Sequence, residues 1–136
     1  MIKSEAQRDR TVAQIEGFRR ALAKAEVEEP GKRSAAIRGS YESMIRQLED
    51  ELREYDELKS GVLNLPQVER LGQIAPSIVK IRIAKGVSQT ELARRLGVSK
   101  QVISRYEESD YQTVAVARLQ DILDAIGIKT LVTLSA

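Results

Sequence analysis

The 136-residue chain contains no His and no Cys, which excludes a thiol nucleophile, an imidazole base, a Cys or His zinc site and a disulfide. Carboxylates, lysines, tyrosines and hydroxyls remain. The neighbouring acids Glu28/Glu29 and Glu107/Glu108 fall at expected loop or helix ends, where solvated carboxylates are usual, and no Gly-rich phosphate loop or nucleophile motif accompanies them. An enzyme is not expected, nor a metal or cofactor. The side chains that stand out are long hydrogen-bonding groups that follow Ser99: Lys100, Gln101, Ser104 and Arg105. At helical spacing these four share one face, and Val102, Ile103 and Tyr106 share the other. A face of that kind suits the base edges of a duplex, since Arg or Lys reaches guanine acceptors and Gln pairs with an adenine edge.

Such a face acts only if other elements hold it out. Ser77 to about Lys85 reads as a helix with Ile78, Ile81 and Ala84 inward, ended by Gly86. Ser88 and Glu91 have the spacing of a capping box and start a second helix, whose inner side is Leu92, Ala93 and Leu96. Gly97 supplies a left-handed turn, Val98 plugs beneath it, and Ser99 is placed to cap the third helix. Two helices of about eight residues joined by so short a turn must cross steeply, which is the geometry of a helix-turn-helix. Free amides near Gln89 and Lys100 are available to phosphates. The block is also basic: Lys80 to Arg105 holds seven basic residues against Glu91 alone, whereas Glu107 to Asp124 holds five acidic residues against Arg118. A concentration of that size attracts a phosphate backbone, although most charge runs are merely solvated helix faces.

The string SQTELARRLGVSKQVISRYE resembles the Cro and lambdoid-repressor class of helix-turn-helix proteins, the XRE family. With the helix before it and LQDILDAIGI after it, the resemblance runs from Ser77 to Ile128. It implies that Gln89 bonds a phosphate and braces the recognition helix, and that Lys100, Gln101 and Arg105 read bases. It also implies a buried ion pair between Arg82 and Glu107. Ser99 and Ser104 complete the expected DNA-binding set. The family commonly continues with Glu, a small residue, Gly and a later Pro; here Glu107 is followed by Glu108, Ser109, Asp110 and Tyr111. Glu108 and Asp110 would repel a backbone passing close to them.

Val114 to Ile126 is again amphipathic and stops at Gly127, supplying the last helices of an expected five-helix, lambda-repressor-like domain. IKTLVTL, Ile128 to Leu134, is rich in β-branched residues and reads as a strand. One strand cannot pair with itself, so a ribbon with the same segment of a second chain is expected, as in antitoxins that resemble this family; a loosely docked tail is the alternative.

The amino-terminal half is different. Val12, Ile15, Phe18, Leu22 and Ala25 recur at helical spacing within Ile2 to Glu26, and Ile37, Tyr41, Met44, Ile45, Leu48, Leu52, Tyr55 and Leu58 form a second stripe. Glu26 to Ser34, with Pro30-Gly31, reads as the loop between them, and Glu49 with Arg53 as a supporting i, i+4 pair. An antiparallel hairpin follows, its first helix basic and its second acidic. The second stripe is wider than one partner helix needs, so either a further chain or the carboxy-terminal half is expected against it. Gly61 to Pro76 reads as a joint in which Pro66 opens a short helix through Val68 and Leu71.

The expected class is therefore all-α: a helical hairpin over 1–62, a linker over 63–76, and a DNA-binding domain with a terminal strand over 77–136. No uncharged stretch exceeds nine residues and the start MIKSEAQRDR is polar, so neither a membrane span nor a signal peptide is expected, and the cytoplasm is the expected location. The leading function is a dimeric, sequence-specific transcriptional regulator, most simply a repressor, on double-stranded DNA. The alternative is an antitoxin whose hairpin grips a toxin or other protein partner while the other half regulates its own promoter.

Overall fold

The structure, a computed structural model, describes residues 1–28, 31–65 and 67–136, and of residues 32–34 the backbone. Its described residues form α-helices and one short 3-10 turn, and no strand. Two compact units divide the chain, Met1–Glu57 and Leu58–Ala136.

In the first unit, α1 (Glu5–Glu28) and α2 (Lys32–Lys59) carry the two predicted stripes. Ser4 opens α1, its hydroxyl accepting from the Gln7 amide at 3.3 Å. Ile2 thus precedes the helix and is buried beside it. The helices run antiparallel. Phe18 meets Tyr41 with ring centroids 5.9 Å apart, Arg8 donates to Asp56 at 2.7 Å, and the Tyr55 hydroxyl donates to Glu5 at 3.1 Å. Glu49 pairs across the hairpin with Arg19, and Arg53 pairs with Asp50, so the expected Glu49–Arg53 pair is not made. Ile15, Ile45 and Tyr55 are buried, whereas Met44 remains 41% exposed. The predicted loop is short, since α2 already begins at Lys32; Glu29 and Pro30 lie outside the described residues.

The second unit opens with a 3-10 turn, Leu71–Gln73, rather than a helix through Val68. The Gln73 side-chain carbonyl accepts the amides of Glu69 and Arg70 at 2.8 and 3.0 Å and so fixes the turn. Pro66, expected to open that helix, lies outside the described residues. Then come α3 (Ile74–Ala84), α4 (Gln89–Leu96), α5 (Lys100–Glu108) and α6 (Val116–Ile126). Pro76 sits in the first turn of α3, where a missing N–H removes no helical bond, so the helix starts earlier than Ser77. Residues 109–113 are turns, 114 is a bend, and a single helix follows them. The domain therefore has four α-helices where five were expected.

Ile78, Val79, Leu92, Ile103 and Ile122 are fully buried and hold the four helices together. Gly97, at φ 68°, makes the tight turn from α4 into α5. The expected strand is not formed. Beyond the Ile128 amide, which donates to Leu123 O at 3.0 Å, residues 129–136 have no helix or strand. A strand requires a partner's ladder, and the segment has none among the described residues. It lines, with Leu65, Val68, Leu71 and Ile74, a cavity of about 310 Å³.

Candidate nucleic-acid interface

The local sequence explains how α5 is presented. Ser88 stands at the amino end of α4 in extended conformation, and its hydroxyl accepts the Glu91 amide at 3.0 Å. Only this half of the capping box forms. The Glu91 carboxylate turns outward to Arg94, at 2.7 and 2.9 Å, and to Arg95 at 3.0 Å. Hydrogen bonds from Arg94 and then Arg95 hold that carboxyl down at about 2, well below the usual carboxylate range. Arg95 also donates to Ala125 O at 2.7 Å, tying α4 to the end of α6 where carbonyls lack helical partners. Ser99 occupies the corresponding position before α5, yet its hydroxyl makes no capping bond. The first amides of α5 are therefore left without the side-chain partner that Ser88 gives α4.

Ile103 is fully buried, and Val102 and Tyr106 are half-buried, which fixes the inner side of α5. Ser99, Lys100, Gln101 and Arg105 are exposed, and Ser104 is half-buried between the two sides. Lys100 and Arg105 have no carboxylate partner among the described residues. The cationic surface is narrower than the sequence count suggests, because Arg94 and Arg95 are engaged by Glu91 and Arg82 is buried against Glu107.

Gln89 is placed differently from the four residues at the front of α5. It is buried, and its amide group donates to Glu107 Oε1 at 2.8 Å. This bond links the first residue of α4 to the end of α5. Glu107 itself is a hub, 1% exposed. Arg82 donates to both its oxygens at 2.7 Å, the Tyr111 hydroxyl donates to Oε2 at 2.8 Å, and Arg82 adds a bond to Val87 O at 2.9 Å. Bidentate geometry and the added donors are what make a buried ion pair tolerable; removing one partner of such a pair typically costs about 3–5 kcal/mol.

Tyr111 was not singled out from sequence. It is fully buried, has a left-handed backbone (φ 59°) immediately after Asp110 (φ 49°), and packs its ring 6.0 Å from that of Tyr106. Burial first, then the Glu107 charge, raises its phenol far above the ordinary value and keeps it a donor. The sequence held no local signal for that conformation, since a positive φ favours glycine and none stands at 109–115.

Among the described residues no helix is long and apolar enough to cross a membrane, and no acidic cluster suits a metal ion. No curated protein and no solved structure matches the chain. Residues 78–132, which contain α3 from Ile78 onward together with α4, α5 and α6, match the helix-turn-helix family, so this part of the chain is similar to an XRE-like helix-turn-helix.

Proposed function

We propose that the chain is a sequence-specific regulator of transcription, most simply a repressor, that places α5 in the major groove of a duplex. One observation carries this reading: Lys100, Gln101 and Arg105 project from a helix whose opposite side is locked into the core. Arg105 and Lys100 suit guanine acceptors or phosphates, and Gln101 suits an adenine edge. Ser99 and the unengaged amides behind it suit a phosphate, as does the exposed flank of Gln89's neighbour Thr90. Two copies related by a two-fold axis would read an inverted repeat with half-sites ~34 Å apart.

Selection from a pool of randomised duplexes tests this. The protein should enrich a short motif, and Gln101→Ala and Arg105→Ala should each cost about 1–3 kcal/mol at one base position of it. Recovery of no motif, or variants with unchanged preference, overturns the reading.

A protein partner on the hairpin, as in an antitoxin, is the second reading. Exposed Met44, beside half-buried Leu48 and Leu52, favours it. Stable co-purification with the product of an adjacent gene is the discriminating observation.

A further inference from the structure

We propose that Tyr111 is a positioning residue for DNA reading: its buried phenol fixes the roll of α5 through Glu107 and so sets where Gln101 and Arg105 point. The inference rests on the function proposed above and adds to it a residue outside the exposed face. Four chain segments converge on the Glu107 carboxylate. Arg82 comes from α3, Gln89 from the first residue of α4, Glu107 from the last turn of α5, and Tyr111 from the turn that follows. Arg82 and Gln89 both reach Oε1, whereas Oε2 is held by Arg82 and Tyr111. The phenol therefore completes the side of the carboxylate that α4 does not touch.

Backbone geometry supports the same role. The Tyr111 amide donates to Tyr106 O at 2.8 Å, closing the end of α5, and this closure uses a left-handed residue. Glycine would adopt that conformation without strain, but it has no hydroxyl to offer Glu107. The strained residue is retained where its side chain joins the network, the pattern seen where geometry is held for function. A recognition surface must be held within roughly 10–20° to be effective, so a pin at one end of a nine-residue helix acts directly on Arg105 and Gln101, two and six residues before Glu107.

Tyr111→Phe keeps the ring contact with Tyr106 and removes only the hydroxyl. The full chain and this variant are compared on the duplex enriched by the wild type and on its single-base variants, at a temperature where both have the same helical circular dichroism. The expected result is a roughly tenfold loss of affinity for the enriched duplex with a smaller loss on the variants, so that discrimination falls, consistent with one charge-assisted hydrogen bond. Gln89→Ala, which frees the opposite side of Glu107, should add less than its own effect when combined with Tyr111→Phe.

A second variant separates positioning from simple stability. Asp110→Gly relieves the left-handed backbone next door, and in the Tyr111→Phe background it should restore the melting temperature but not the discrimination. Wild-type discrimination in Tyr111→Phe, or its return together with stability, overturns the proposal. Amide chemical shifts of residues 100–105 give a readout without DNA. If the wild type enriches no motif while these shifts still move in Tyr111→Phe, the pin on α5 stands and the DNA reading falls; if they do not move, the pin is wrong.

Discussion

Glu91 shows how a single carboxylate reshapes the charge a duplex would meet. It accepts from Arg94 and Arg95 and withdraws both from the basic face, leaving Lys100 and Arg105 as the unpaired cations of α5. Its folded-state value, near 2, lies below the ordinary 4.5, so any stabilisation from these bonds is present above about pH 4.5 and is lost as pH falls through about 2. A carbon-detected NMR titration should therefore find Glu91 still ionised at pH 3.5; a midpoint near 4.5 would show that the pairs do not persist in solution. The outward residues of α5 were legible because periodicity alone assigns them a side. The destination of Gln89 was not. Its partner lies 18 positions later, and only the packing of α4 against the end of α5 brings Glu107 within reach. Glu49 likewise met Arg19 across the hairpin before Arg53 along its own helix.

The helix starts expose the difference between a cap residue and a cap. Ser88 and Ser99 have nearly the same extended backbone, ψ 162° and 156°, and each precedes a polar helical residue. Only Ser88 bonds an amide. Ser88→Ala should thus lower unfolding free energy by about 1 kcal/mol, and Ser99→Ala should fall within the small range of surface substitutions, as measured by urea denaturation at neutral pH. Equal losses would mean that Ser99 caps α5 in solution, and its proposed role towards phosphate would lose its structural basis. Sequence located Ser88 by its capping-box spacing to Glu91 and Ser99 by its place after the Gly97 turn, yet the rotamer that makes the bond depends on three-dimensional surroundings. The same limit explains residues 109–115. Without the usual Gly and Pro, nothing local announced that Asp110 and Tyr111 would turn left-handed, and the fully buried ring of Tyr111 supplies the compensation.

For the whole molecule, the proposed reading of an inverted repeat would require two copies of α5 on one duplex. Exposed large apolar residues in the second unit are concentrated in two segments: Val62, Leu65, Val68 and Leu71 before α3, and Leu131, Val132 and Leu134 after α6. Both segments border the same cavity, and Leu131 is 97% exposed. An uncharged tail, TLVTLSA, with apolar residues Leu131, Val132 and Leu134 and no ladder among the described residues has the composition of a strand that pairs with its like. Pairing would bury Leu131 and Leu134, each worth about 1.5–3 kcal/mol when fully removed from water, and would satisfy the backbone groups that one chain leaves open. The β-branched pattern of the tail and its observed conformation differ, because a strand needs a partner's ladder and none stands beside it among the described residues. Sedimentation equilibrium should find a dimer for the wild type, and Leu131→Lys with Val132→Lys should shift it to monomer without loss of helical circular dichroism. The paired substitutions should also abolish binding to a full inverted repeat while leaving weak, salt-sensitive binding to a single half-site, because α5 itself is untouched. A dimer that survives them would move the interface to the hairpin, whose exposed Met44 is then the next position to charge.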